Sequence, residues 1–169
     1  MTESFRIRPA RTSDVSAIKK LVVPLAEQRI LMAKETVAYY ESLQEFRIAE
    51  SSQDEVVGCG ALHVMWEDLA EVRTLAAAKD WRGQGVGHAL MESLLEEARA
   101  LGVARVFCLT FEVDFFKGHG FEVMADQSVV DPVVHSELLR SHDEGVAEFL
   151  DLARVKPNTL GNTRMIRFL

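Results

Sequence analysis

Cysteine is scarce. The 169-residue chain has two, Cys59 and Cys108, each inside an apolar strand-like run, with no Cys-x-x-Cys spacing and no histidines at metal-ligand spacing. That pattern argues against a zinc site or a disulfide framework and reads both thiols as small buried core residues, so no metal is expected. Positive charge is also short: 19 Lys and Arg against 26 Asp and Glu leave a net charge of −7. Nucleic acid and anionic membrane need concentrated positive charge, so neither is expected as a partner, although a small anionic ligand needs only local convergence of basic residues. No apolar run reaches the roughly 18 residues needed to span a bilayer. The start, Met1-Thr-Glu-Ser-Phe-Arg6, lacks a signal-peptide core, and a cytoplasmic protein is expected. Repeats, low-complexity tracts and dividing linkers are missing too, so residues 1–169 read as one globular domain.

What the chain does have is a glycine run, Arg82-Gly83-Gln84-Gly85-Val86-Gly87, between an apolar strand-like segment, Val72 to Ala77, and a long amphipathic helix beginning near Val86. Glycines let the backbone approach a ligand and turn several N–H groups toward one point, and the helix adds the positive end of its dipole. The arrangement suits a pyrophosphate. It is neither Gly-x-x-x-x-Gly-Lys-Ser/Thr nor the dinucleotide-binding Gly-x-Gly-x-x-Gly. The plainer alternative is a turn that only caps the helix.

Phe5 to Pro9 alternates as a first strand, and Thr12-Ser13-Asp14 offers capping oxygens to a helix carrying Val15, Ile18, Leu21, Val22 and Leu25 on one stripe. A second helix is expected over about Lys34 to Leu43, then strands at Glu45 to Ala49, Val56 to Met65 and Leu69 to Ala77 joined as antiparallel hairpins. The long helix, Val86 to Leu101, buries Leu90, Leu94, Ala98 and Leu101 and stops at Gly102. A strand (Arg105 to Phe111), a short helix (Asp114 to His119), a strand (Phe121 to Ala125), a helix (Pro132 to His142) and a last strand (Arg164 to Phe168) follow. These pieces predict an α/β protein, a mixed, mostly antiparallel sheet flanked by helices. Met32 and the Tyr39-Tyr40 pair read as core or interface residues, and Asp143-Glu144 and Lys156-Pro157-Asn158 as a substrate lid or a dimer contact.

Four pieces in order, Glu71 to Ala77, Arg82-x-x-Gly85-x-Gly87, the strand from Arg105 to Phe111, and Phe115-Phe116-Lys-Gly-His-Gly120-Phe121, resemble the GNAT acetyltransferases. The resemblance implies acetyl-coenzyme A as co-substrate. Its pyrophosphate would lie on Arg82, Gly83, Gln84, Gly85, Val86, Gly87 and His88, its pantetheine along the backbone of Leu75, Ala76 and Ala77, with Phe116 beside it. Glu71 would be the base that receives the amine proton, directly or through water. Glu71 and Arg73 share one strand face, so simple pairing of the two on a solvated face is the other reading. Many GNAT enzymes protonate the departing thiolate with a tyrosine where this chain has Phe116. A homodimer is also implied.

The stretches Pro24 to Leu31, Val57 to Leu62, Glu71 to Ala77, Val106 to Thr110 and Phe115 to Phe121 further resemble the acetyltransferase domain of bacterial N-acetylglutamate synthase, and Val146 to Met165 resembles its short, actinobacterial type. The acceptor implied is the α-amine of L-glutamate, with glutamine as an additional substrate. Its two carboxylates need cationic or donor groups, for which the resemblance offers Lys34, His63, Arg73, Asn162, Thr163 and Arg164. Two departures are His63, where some members carry lysine, and Gly161, where some long-form members carry arginine. Rival readings are a GNAT enzyme with another amine acceptor and a coenzyme-binding sensor without turnover.

Overall fold

The computed structural model describes residues 4–124, 130–150 and 161–169. The chain runs β1 (Phe5–Pro9), α1 (Val15–Glu27), α2 (Thr36–Glu41), β2 (Phe46–Ser51), β3 (Val56–Trp66), β4 (Leu69–Ala77), α3 (Val86–Leu101), β5 (Arg105–Thr110), α4 (Val113–Gly118), β6 (Glu122–Val123), α5 (Pro132–Leu138), α6 (Glu144–Phe149) and β7 (Thr163–Phe168). Among the described residues the strands form one sheet in the order β1-β2-β3-β4-β5-β7-β6. Every neighbouring pair is antiparallel except β4 and β5, which run parallel. The mixed, mostly antiparallel sheet expected from the sequence is thus present.

Alternation along the strands sorts the core into two layers. One face takes Leu62, Val72 and Val106 and packs them under α3, whose Met91, Leu94, Leu95 and Ala98 are buried. The opposite face takes Phe46, Ile48, Cys59 and Ala61 under α1, and further along the sheet Met65, Leu69 and Phe107 under α5 and α6. Leu101 departs from the expected buried stripe and is 58% exposed. The helix ends in a Schellman motif, Gly102 N–H to the Arg99 carbonyl and Val103 N–H to the Ala98 carbonyl, and Val103 takes the core position instead. Asp14 also departs from its expected capping role. Its carboxylate accepts from the Arg8 guanidinium and the Arg11 N–H, and makes no cap bond to α1.

Two shorter elements follow from turn chemistry rather than periodicity. The second helix is trimmed to α2, with a 3-10 turn over Leu43–Glu45. The helix expected from Pro132 ends at Leu138, and a separate α6 begins after Asp143, whose carboxylate accepts from the Val146 N–H as an N-cap.

Two irregularities open the sheet. The β3–β4 register shifts between Cys59 opposite Ala76 and Ala61 opposite Arg73, with Thr74 at φ 57 in the bulge. The bulge reverses the alternation: Glu71 and Arg73 face α6, whereas Leu75 packs on the α3 side and Ala76 on the α1 side. In addition, β4 pairs with β5 only from Leu69 to Glu71, against Arg105 to Phe107, while β5 continues on β7. Beyond Glu71 the two parallel strands separate, leaving a cleft at their C-terminal ends, a position where open sheets bind ligands.

Candidate active site

The cleft is a cavity of about 530 Å3 walled by β4 from Val72 to Ala77, β5 from Leu109, the aromatic pair Phe115 and Phe116 of α4, and the glycine turn that opens α3. Gly83 and Gly85 hold φ of 77° and 86°, left-handed values that a side chain adopts at a cost. A helix leaves its first N–H groups without intrahelical acceptors, and those of α3 open beside the cavity lined by Gly85, Val86, Gly87 and His88. With the exposed Arg82 beside them, these groups make an anion cradle.

Of the residues assigned to the coenzyme, Leu75, Ala76, Ala77, Arg82, Gly83, Gly85, Val86, Gly87, His88 and Phe116 line this cavity. Gln84 is not among the lining residues; its amide turns back and donates to the Asp80 carbonyl at 2.9 Å. Both thiols are buried and unpaired by disulfide, and burial pushes Cys59 up to about 12 and raises Cys108 further, with the Glu71 charge adding to the latter. Neither is an activated nucleophile.

A smaller cavity of about 60 Å3 adjoins the first, sharing Ile30, Leu31, Val72, Arg73, Thr74 and Leu109 with it. Lys34, Glu71, Arg73, Gly145, Glu148 and Asn162 line its polar side, and Met32, read from periodicity as core or interface, lines it too. Arg73 dominates the electrostatics. Its side chain is 8% exposed and lies between Glu71, at 2.7 Å, and Asp143, which it grips through two bonds of 2.9 Å. The Glu71–Arg73 pairing on a solvated face is thereby replaced by a buried one. Burial works against the guanidinium charge, but Glu71 and Asp143 outweigh it and hold its pKa above the ordinary value. Burial likewise works against ionisation of Asp143, yet the Arg73 bonds and charge, with His63 and the Val146 N–H, hold its carboxyl well below the usual range. Gly145 leaves room for this contact, since a Cβ there would lie 2.5 Å from the Arg73 Nη2 and the guanidinium would have to shift.

Both Arg73 bonds to Glu71 go to Oε2, so Oε1 is left without a hydrogen-bond partner among the described residues. Lys34, in the same lining, is half-buried, with no hydrogen bond or ion pair among the described residues; burial first, and the Arg73 charge second, lower its pKa. His63 sits one step back, its Nδ1 2.7 Å from Glu45 and its Nε2 3.8 Å from Asp143. Asn162 donates to Glu148 at 3.1 Å. Thr163 and Arg164 lie on β7, outside the lining of both cavities. The Arg164 guanidinium donates to the Phe149 and Glu148 carbonyls at the end of α6, where a cation suits the helix dipole. The structure therefore brings together Lys34, Glu71, Arg73 and Asn162.

Gly145 and Glu148 escape the sequence reading, and Asp143, read with Glu144 as a lid or dimer contact, is instead the N-cap of α6 and the partner of Arg73. An Asp before Glu-Gly-Val and an apolar Phe149 is a helix-start signal, but nothing local links Asp143 to Arg73, seventy residues earlier. Lys156, Pro157 and Asn158, read as lid or dimer contact, lie outside the described residues. Asp143→Asn is expected to destabilise the fold by about 2 kcal/mol at pH 7, as breaking one arm of a mostly buried ion pair does. Because the folded carboxyl titrates below its unfolded value of about 3.9, this stability is present above about pH 4 and fades as the pH falls through the folded pKa. Urea titrations of both proteins at pH 7 and below pH 4 check it: the gap should shrink in acid.

Among the described residues no helix is long and apolar enough to cross a membrane, and no group of three or more His, Cys, Asp or Glu is placed to hold a metal. The acetyltransferase (GNAT) family profile matches residues 20–121. A Mycobacterium tuberculosis amino-acid acetyltransferase is 52% identical over 165 residues, covering 96% of this chain and 94% of its own length. A solved Mycobacterium tuberculosis protein in complex with CoA and NLQ superposes with a TM-score of 0.92 at 52% identity, over 97% of this chain and 99% of that one. N-acetylglutamate synthase from Neisseria gonorrhoeae, solved with coenzyme A and N-acetyl-glutamate, shares the fold with a TM-score of 0.79 at 24% identity, over 98% of this chain and 35% of that one.

Proposed function

Because the chain belongs to the acetyltransferase (GNAT) family, we propose that it is an acetyl-CoA-dependent amino-acid N-acetyltransferase acting on the α-amine of L-glutamate, the reaction that opens arginine biosynthesis. The observation that carries the acceptor is the small polar cavity beside the coenzyme cleft, lined by Glu71, Arg73 and Lys34, the last without an ion pair among the described residues. Acetyl-CoA lies with its pyrophosphate on the turn before α3 and its pantetheine in the gap between β4 and β5, where β4 has no strand partner on that side among the described residues. Backbone groups released there are suited to hold the pantetheine amides and to polarise the thioester carbonyl.

The reaction needs a neutral amine. Glu71 Oε1, the carboxylate oxygen that Arg73 leaves open, receives the ammonium proton directly or through one water. The nitrogen lone pair then attacks the thioester carbon, the tetrahedral intermediate collapses, the C–S bond breaks, and the coenzyme leaves as thiolate and takes a proton. With Phe116 where a tyrosine acid would stand, water or the amine's own second proton supplies it; a thiol with a pKa of about 8.5 tolerates this near neutral pH. Direct attack needs no acyl-enzyme, in keeping with two inert thiols.

Lys34 pairs with one substrate carboxylate. Arg73 is already neutralised by two carboxylates, so its contribution is to hold Glu71 and α6 in place, with Asn162 on the wall and His63 behind it, against Glu45 and Asp143. Of the two cations that line the small cavity, only Lys34 has no ion pair among the described residues, which also supports glutamine, with one carboxylate and a neutral amide, as a second acceptor. Lys34→Met is expected to raise the acceptor KM by about 10- to 100-fold, the worth of one charge-assisted hydrogen bond, with little change in coenzyme binding. Free-thiol release from acetyl-CoA, measured with each of the twenty amino acids, a polyamine and a lysine peptide, tests the assignment. Turnover confined to glutamate and glutamine supports it; turnover with the peptide or polyamine alone overturns it, and coenzyme binding with no turnover would leave a sensor. A homodimer in the cytoplasm completes the proposal.

A further inference from the structure

A hydrogen-bonded chain of two histidines and a glutamate ends at the coenzyme cavity and takes no part in the proton transfers above. His119 is 8% exposed, with Nδ1 3.0 Å from Glu92 Oε1 and Nε2 2.7 Å from His88 Nδ1. The Phe115 ring packs 5.0 Å from both histidine rings, tilted by 39° to His88 and 52° to His119. His88 stands in the first turn of α3 and lines the large cavity beside Gly85 and Gly87.

The direction of this chain follows from its acidic end. An ionised carboxylate only accepts, so His119 Nδ1 carries a hydrogen and donates to Glu92; a singly protonated His119 then has its lone pair at Nε2 and accepts from His88 Nδ1–H. His88 Nε2 is the one ring nitrogen of the pair without a partner among the described residues. A second proton there turns His88 into a cation whose free N–H can donate to an anion, next to helix N–H groups that favour the same charge. The charged groups around the pair are mixed. Glu92 on α3 favours the second proton, and Glu112 lines the same cavity; Arg82, on that cavity wall, and Arg167 of β7, which donates to the His119 carbonyl, oppose it. On α4, Asp114 and Lys117 are exposed. With the protein's own charges so divided, the arriving phosphate charge tips the balance.

We propose that His88 binds the coenzyme pyrophosphate as an imidazolium through Nε2, taking up a proton as coenzyme A binds, with His119 and Glu92 as positioning residues that commit its Nδ1 as donor. The proposal rests on the acetyl-CoA reading of the cavity. Calorimetry of coenzyme A binding at about pH 7.5, in buffers of different ionisation enthalpy and without acceptor, measures the proton count. Wild type is expected to take up a substantial fraction of one proton with coenzyme A and none with pantetheine, which lacks the phosphates. His88→Asn should lose the uptake and bind coenzyme A about tenfold more weakly, with pantetheine binding unchanged. Glu92→Gln, which keeps an acceptor but removes the charge at an exposed site, should reduce the uptake. An uptake that is absent in wild type, or identical in His88→Asn, overturns the proposal while leaving the acetyl-CoA reading intact. Failure of wild type to bind coenzyme A at all overturns both.

Discussion

Gly85→Glu is expected to weaken coenzyme A binding by about 1000-fold or more, through two costs that add. The residue holds φ 86°, a left-handed conformation that a side-chain-bearing residue leaves in the free loop, so restoring it on binding costs about 1 kcal/mol. Its carboxylate also arrives where the pyrophosphate sits, and like charges about 4 Å apart at a protein surface repel by about 4 kcal/mol. Together about 5 kcal/mol corresponds to more than three decades in Kd. The first carbon of a side chain adds no clash of its own, because a Cβ at this position meets no atom within 4 Å. Gly85→Ala therefore isolates the backbone cost and should weaken binding only severalfold. Calorimetric titration of both variants with coenzyme A measures the two terms; a Gly85→Glu protein that binds like wild type would sink the cradle assignment.

Glu71→Gln is expected to lower kcat by about 100- to 1000-fold, the usual worth of a general base, with the acceptor KM changing only a few-fold. The amide oxygen still accepts from Arg73, so the clamp on α6 survives while the proton acceptor is gone. A parallel measurement on Asp143→Asn distinguishes chemistry from architecture, because that variant loosens the same guanidinium and leaves the Glu71 carboxylate in place. If Glu71→Gln retained wild-type kcat, Glu71 would be only the partner of Arg73, and the base would have to be sought at Glu148, the other carboxylate lining the small cavity.

The two halves of the site differ in how far they could be read from the chain. The phosphate cradle of the coenzyme half is a contiguous piece, residues 82 to 88, and its chemistry resides in glycine backbones and a helix start, features that sequence order alone puts together. The strand before it was legible for a related reason: apolar alternation from Leu69 to Ala77 matches β4 to the residue. The acceptor half is assembled from α1's exit, β4, α6 and the start of β7, four regions whose spacing in the chain says nothing of their spacing in space. Lys34, Glu71, Arg73 and Asn162 were nominated by resemblance and do converge, whereas Arg164 faces helix carbonyls and Thr163 pairs on β7 opposite Thr110. A strand residue's type does not reveal which neighbour its tip will meet. Helix boundaries failed for a comparable reason, since the break after Leu138 and the new start at Asp143 depend on what Asp143 grips.

Local order in the sequence determined the elements, the glycine cradle, and the shared face of Glu71 and Arg73, because periodicity and turn chemistry act over a few residues. Only the tertiary structure decided that β4 and β5 part after Glu71, that Thr74 reverses the alternation, that Arg73 is locked between Glu71 and Asp143, and that Glu92, His119 and His88 line up. Each of these depends on contacts between segments far apart in the chain, where packing and the pairing of buried charge select one arrangement among many that local preference allows.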